Sequence, residues 1–197
     1  MNNIPILKET NINYKKVFLI SNKSLKENSF EELFTTYPSV ILDIYSSSLD
    51  VNSPELLNLN SEYFRLSQEY KYLNFILDCF KKNSYKCIIN INIFNIKYED
   101  FIEYTNRLDQ IDKYILLKQF NTMKNSKEDL YLIEDINLLK MFMKGILREV
   151  FKGSLFFPQL PLIVFDNYDM SLPLVFKNIK DKKDYQEIAE KHSLYFR

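Results

Sequence analysis

The segment Pro161–Phe176, PLIVFDNYDMSLPLVF, contains two short apolar runs separated by a polar segment. Each run has the length and the β-branched composition of a strand. Asp166 and Asn167 lie between the runs, and both residue types are common in turns because their side chains hydrogen-bond to nearby backbone. The segment therefore predicts a β-hairpin. A second use stays open, in which Asp166, Tyr168 and Asp169 are presented to a partner.

Two long segments carry helical periodicity. From Ser61 to Lys82, apolar residues recur in steps of three and four, which predicts an amphipathic helix; they are Tyr63, Leu66, Tyr70, Leu73, Leu77 and Phe80. Residues 136–152, INLLKMFMKGILREVFK, predict a second helix that stops at Gly153.

The remaining segments contain further strand candidates. SVILDIYS (Ser39–Ser46) and YKCIININIF (Tyr85–Phe94) have strand composition, and KYILLKQF (Lys113–Phe120) is expected to be a strand that pairs with EDLYLIED (Glu128–Asp135). Strand candidates gather toward the C-terminal half and do not alternate regularly with helices. The order predicts an α+β fold, a single globular domain over residues 1–197, in which a single layer of mainly antiparallel sheet packs with about four to five helices.

Composition limits the class of protein. The chain has 197 residues, of which 46% are hydrophobic and 26% charged, and its 26 basic and 26 acidic residues give zero net charge. Without a basic excess, general nucleic-acid binding is not expected. The N-terminal MNNIPILKET does not have the pattern of a signal peptide, and no segment has the apolar length that spans a bilayer. We expect a soluble, cytoplasmic protein; composition leaves its oligomeric state open.

Residue counts argue against most catalytic classes. The one His, His192, argues against a usual catalytic triad, and the two isolated Gly exclude a glycine-rich phosphate loop. Cys79 and Cys87 are expected to be buried free thiols. Several acidic residues, among them Asp43, Glu134 and Asp166, would have to converge to bind a divalent cation. The sequence therefore predicts no cofactor, no metal ligand and no catalytic residue, and whether the protein is an enzyme stays open, with the balance against it.

The second helical segment also carries a basic ridge. Lys140, Lys144, Arg148 and Lys152 follow one another in steps of four, so they share one side of a helix. Such a ridge is either a solvated face or a contact surface for an acidic protein partner.

Three stretches resemble a bacterial family of uncharacterised proteins of similar length, a domain of unknown function. They are ELFTTYPSVILDIY, EYFRLSQEYKYLNFILDCFKKNSYKCIINI and LIVFDNYDMSLPLVFKNIKDKKDYQEIAEKH. The family's hairpin carries a Tyr-Asp-Asp-Arg-Gly-Met type of turn, whereas this chain has Tyr168 and Asp169 at the Arg and Gly positions. Some similar proteins lie in toxin–immunity neighbourhoods, so the resemblance implies a binding role with a toxin-like partner.

Two functional hypotheses follow. The first is a non-enzymatic, immunity-like protein-binding module that uses the basic ridge and the turn residues Asp166, Tyr168 and Asp169. The alternative is a metal-dependent hydrolase or nuclease whose clustered carboxylates hold the metal.

Overall fold

The structure is a computed structural model, and it describes residues 5–10, 30–50, 52–59, 61–91, 97–123, 126, 130–167 and 169–197. Within these residues, the chain forms one antiparallel β-sheet and helices that pack on it. The predicted α+β class with a mainly antiparallel sheet is confirmed.

Eight described strands form the sheet. In chain order they are β1 (Lys8–Glu9), β2 (Ser39–Asp43), β3 (Cys87–Ile91), β4 (Leu130–Ile133), β5 (Gly153–Phe157), β6 (Leu162–Val164), β7 (Leu172–Phe176) and β8 (Tyr195–Phe196). Their order across the sheet is β1-β4-β3-β5-β6-β7-β2-β8, and every neighbouring pair is antiparallel.

Seven helices are described, which is more than the four to five that the sequence predicted. They are α1 (Phe30–Thr36), α2 (Pro54–Leu59), α3 (Glu62–Lys82), α4 (Tyr98–Thr105), α5 (Gln110–Met123), α6 (Ile136–Leu147) and α7 (Ile179–Lys191). Ser61 caps α3, because its hydroxyl accepts a hydrogen bond from the backbone N–H of Phe64. Within the described residues, none of the helices is long and apolar enough to cross a membrane.

Apolar side chains are buried on both faces of the sheet. Successive strand residues point to opposite faces, and β3 shows this directly: Ile89 belongs to the main core with residues of α3, α5, α6 and α7, whereas Ile88 belongs to a second cluster. Leu33 of α1 packs into that second cluster. The prediction of a single layer of sheet is therefore right for the number of sheets but misses the apolar packing on the second face.

The Pro161–Phe176 segment forms the predicted hairpin. β6 and β7 are antiparallel neighbours, with Ile163 opposite Val175. The left-handed backbone that turns the chain lies at Asp169 (φ 59°) and Met170 (φ 58°), later than the Asp166-Asn167 pair. Tyr168 lies outside the described residues.

The segment Lys113–Phe120 is helical, so the predicted strand and its pairing with the segment that contains β4 are wrong. It lies within α5, whose buried residues are Asp112, Leu116, Gln119, Phe120 and Met123. β4 pairs instead with β1 and β3. The helical period was hidden because two of the five buried positions are polar. Gln119 accepts a hydrogen bond from the backbone N–H of Leu7 and donates one to the carbonyl oxygen of Pro5.

Helix α6 ends at Leu147, five residues before the predicted end. Glu149 adopts a left-handed conformation (φ 54°), and the backbone N–H of Val150 donates to the carbonyl oxygen of Gly145. This is a Schellman type of helix end. Lys152 therefore lies beyond the helix and does not continue the ridge along its axis.

Both cysteines are buried and free, as the sequence predicted. Burial raises the pKa of the Cys79 and Cys87 thiols well above the usual value. Neither thiol is thereby activated as a nucleophile, because the thiolate is the reactive form.

Candidate functional site

A cleft of about 580 Å³ opens where α3, the α4–α5 connection, the end of α6 and the β6–β7 hairpin meet. We call it the Arg148 cleft. One rim comes from α3 and the other from the α4–α5 connection. Its lining residues are Glu62, Arg65, Leu66, Glu69, Arg107, Leu108, Asp109, Leu147, Arg148 and Met170.

Arg148 is held rigidly at the base of this cleft. Its Nε donates to Oε2 of Glu69 across 2.7 Å and its Nη2 donates to Oε1 across 2.9 Å, so the two planar groups form a two-bond contact. Nη1 donates to the carbonyl oxygen of Arg107 across 3.2 Å. The Glu69 carboxylate raises the pKa of the Arg148 guanidinium. Arg148 thereby joins α3 to the α4–α5 connection.

Lys144 makes the parallel link to α5. Its ammonium group pairs with Asp109 across 3.0 Å and also with Asp112. Burial raises the pKa of the Asp112 carboxyl. For Asp109, burial also opposes ionisation, but the backbone N–H of Asp112 and the Lys144 ammonium outweigh it and lower the pKa.

A fourth ion pair lies at the cleft, next to Arg148. The Arg65 guanidinium pairs with Glu149, the left-handed residue that ends α6. Three of the cleft's charged residues therefore have partners on α6 or at its end. The network fixes the shape of the cleft and leaves little of its charge for a ligand.

The hairpin turn contributes to the same cleft. Met170 is buried in the main core and lines the cleft beside Arg148. Burial raises the pKa of the Asp166 carboxyl, and the Lys152 charge together with backbone hydrogen bonds opposes this rise. The structure therefore brings the hairpin and the end of the basic ridge into one region, although they are separate in sequence.

The outer side of α3 next to the cleft is apolar and exposed. Tyr63 is 89% exposed, Leu66 43% and Tyr70 58%. Their spacing of three and four residues places them in one row, the α3 row, and Leu66 also lines the cleft. The sequence predicted these three residues on the buried stripe of the helix. That was wrong for this half of α3, where Glu69 is buried and Arg65 half-buried.

The predicted partner-binding residues lie in different surroundings. Lys140 is half-buried on α6, Lys152 is exposed, and Asp169 is exposed in the turn. Lys144 and Arg148 are engaged in the ion pairs described above. The structure does not test a contact between these residues and a partner, and that contact stays a prediction.

The carboxylates considered for metal binding have other roles. Asp43 pairs with Arg197 across 2.7 Å, and Glu134 pairs with Lys8 across 2.9 Å. Asp135 caps α6 by accepting the backbone N–H groups of Asn137 and Leu138. In the part of the chain that the structure describes, no three His, Cys, Asp or Glu side chains come close enough to bind one metal ion.

The central residues of the cleft, Glu69 and Leu66, were not among the predicted site residues. A buried glutamate with an exposed leucine one turn earlier departs from the simple amphipathic pattern, and such departures concentrate at functional sites. From the sequence alone, the same residues are compatible with an ordinary surface helix. Comparison of the chain with protein-family models, with curated proteins and with solved structures finds no match.

Proposed function

We propose that this protein is a non-enzymatic protein-binding module of the immunity type, which acts by covering a partner protein. The observation that carries the proposal is the α3 row, Tyr63, Leu66 and Tyr70, which is exposed beside the preformed Arg148 cleft. The resemblance to proteins from toxin–immunity neighbourhoods supports a toxin-like partner, and we place the protein in the cytoplasm.

A few side chains that fill pockets on the partner provide most of the binding energy in protein interfaces. Tyrosine is enriched among the residues whose loss costs about 2 kcal/mol or more of binding free energy. The row presents two tyrosines and one leucine on a rigid helix, so little conformational entropy is lost when a partner binds.

The basic ridge has a different part in the proposal. Lys144 and Arg148 are neutralised by Asp109, Asp112 and Glu69, so they attract an acidic partner only weakly. Their contribution is to hold the cleft open and in place.

The test is affinity capture from the source cells with a matched pair of variants. The site variant is Tyr63→Ser/Leu66→Ser. The control is Ile179→Ser/Tyr195→Ser, which also removes one exposed tyrosine and one exposed aliphatic residue, but outside the cleft. We expect the wild type and the control to retain the same partner, and the site variant to bind it at least about 30-fold more weakly by calorimetry.

A second measurement addresses the immunity type of function. The captured partner is expressed in a test cell with the wild-type protein, the site variant or the control. Growth should be arrested by the partner alone and restored by the wild type and the control, but not by the site variant. A captured partner that is harmless to cells contradicts the immunity role, and equal binding of both variants contradicts the proposed surface.

A further inference from the structure

We infer that the Arg148 cleft is also the contact surface for a second copy of this chain, in a two-fold symmetric dimer whose axis runs along the cleft. This inference concerns the protein without its partner and does not depend on the proposed function. The two uses of the surface exclude each other, because a second copy seated on the cleft blocks the α3 row.

The evidence is the distribution of charge along the two rims. Glu62 lies on the α3 rim and Arg107 on the opposite rim, and both side chains are exposed. Among the described residues, neither has an ion-pair partner, whereas Arg65, Glu69, Asp109 and Arg148 all have one. In the described part of the cleft, the charges without an ion-pair partner are therefore one acid and one base, on opposite sides.

A two-fold axis converts this arrangement into two matching contacts. In such an interface each surface meets its own copy, so a residue on one rim faces the residue on the other rim of the second copy. An axis along the cleft places Glu62 of each copy opposite Arg107 of the other. A single acid–base pair within one cleft thus becomes two pairs across the interface, with no like charges opposed.

The exposed apolar residues of this surface lie on the α3 rim. Leu66 is 43% exposed there, whereas Leu108 on the opposite rim is buried. The operation that pairs the charges therefore brings Leu66 of each copy toward Arg107 of the other, whose aliphatic stem can cover apolar surface. The zero net charge of the chain means that long-range repulsion does not oppose the association.

The first test is the molar mass in solution. Sedimentation and light scattering, at protein concentrations up to about 1 mM, should show a species of twice the chain mass of 23.7 kDa. Dissociation should become easier as salt is raised, because the rim pairs are exposed and screened. A monomer at every concentration overturns the inference and leaves the proposed function untouched.

The second test reverses the charges one at a time. Glu62→Arg opposes two bases across each contact, and Arg107→Glu opposes two acids, so each variant alone should be a monomer. When the two variants are mixed, every contact again joins an acid to a base, and the mixture should dimerise as the wild type does. The double variant Glu62→Arg/Arg107→Glu should dimerise as well.

The mixture separates a contact between copies from an effect within one chain. If Glu62 and Arg107 acted within one chain, mixing the variants would restore nothing. Glu187→Arg and Lys183→Glu are the matched controls, because both residues are exposed on α7 outside the cleft, and both variants should keep the wild-type mass. Loss of the dimer in these controls, or a mixture that stays monomeric, contradicts the inference.

Discussion

The side-chain amide of Asn83 donates to the hydroxyl of Tyr185 across 2.8 Å, and that hydroxyl donates to the carbonyl oxygen of Leu160 across 2.6 Å. Both residues are buried, and the Asn83 amide also donates to the carbonyl oxygen of Cys79. Its oxygen accepts the backbone N–H groups of Gln159 and Leu160. This one amide therefore connects the end of α3, the β5–β6 turn and α7.

Replacement of Asn83 should strongly destabilise the protein. Asn83→Ala removes four hydrogen bonds and leaves the partly buried backbone N–H groups of Gln159 and Leu160 without this acceptor, so we expect a loss of about 3 kcal/mol in the free energy of unfolding. Tyr185→Phe removes only the hydroxyl and should cost about 1–2 kcal/mol. Urea unfolding measures both values. A cost for Asn83→Ala below that of Tyr185→Phe would show that the network contributes little.

Gly145 should not tolerate alanine, although it lies inside a helix. Alanine is normally favoured over glycine there by about 1 kcal/mol. A Cβ at this position, however, would overlap Cζ of Phe151. We therefore expect Gly145→Ala to lower the free energy of unfolding by roughly 1–3 kcal/mol. In the background of Phe151→Leu the penalty should shrink or change sign, and an equal penalty in both backgrounds would contradict the steric explanation.

Replacement of Ser193 by glycine should stabilise the protein. It is the left-handed residue (φ 54°) that ends α7, where the backbone N–H of Leu194 donates to the carbonyl oxygen of Ala189. Glycine avoids the steric cost of this conformation but gains entropy in the unfolded chain, so Ser193→Gly should stabilise the protein by roughly 0.5–1 kcal/mol. Ser67→Gly, within α3, is the matched control and should destabilise it by about 0.5 kcal/mol. Thermal unfolding of both variants decides the sign.

Much of the fold follows from local sequence patterns, and the exceptions have a common physical cause. The β6–β7 hairpin and the length of α3 were predictable because the apolar runs of the hairpin and the helical spacing of α3 are local patterns. The helix α5 was not, because its buried face includes Asp112 and Gln119, whose polar atoms find partners only in the folded chain.

Partners that are distant in sequence also explain why the sequence did not predict the Arg148 cleft. Glu69 is buried because Arg148, distant in sequence, neutralises it, whereas Leu66 and Tyr70 on the same helix face the solvent. The basic ridge was visible in the sequence, but its acidic partners were not. The cleft joins α3, the α4–α5 connection, α6 and the hairpin, so it exists only once the topology is known.

Asp78 should make the stability of the protein sensitive to acid. Burial opposes ionisation of this carboxylate, but hydrogen bonds from Lys191, Lys81 and His192 outweigh it and hold its pKa well below the usual 3.8. A carboxylate whose folded pKa is lowered stabilises the protein above its unfolded pKa, and this contribution is lost as the pH falls toward the folded value.

The comparison is therefore between the wild type and Asp78→Asn across pH. Near neutral pH, the variant should lose on the order of 1 kcal/mol, since two of the partners of Asp78 are lysines on the surface. The difference should stay constant down to about pH 5 and shrink below about pH 4. Glu187→Gln, exposed on α7, is the control and should match the wild type throughout. If the difference in stability grew in acid, the direction assigned to the pKa shift of Asp78 would be wrong.

The Arg148–Glu69 pair should show strong coupling that salt does not remove. Only 20% of the Arg148 side chain and 10% of the Glu69 side chain are exposed, so removal of either partner leaves a charge in a poorly solvated place. We expect Arg148→Met and Glu69→Met each to cost about 3 kcal/mol in the free energy of unfolding, and the double variant to cost far less than the sum.

The exposed Lys8–Glu134 pair is the matched control, with little coupling in the same double-mutant cycle. Because buried charges are poorly screened, the coupling of Arg148 with Glu69 should persist in 1 M salt, where any coupling of the control pair disappears. If both cycles lose their coupling in salt, Arg148 is a surface charge in solution, and the cleft does not have the fixed base that its geometry indicates.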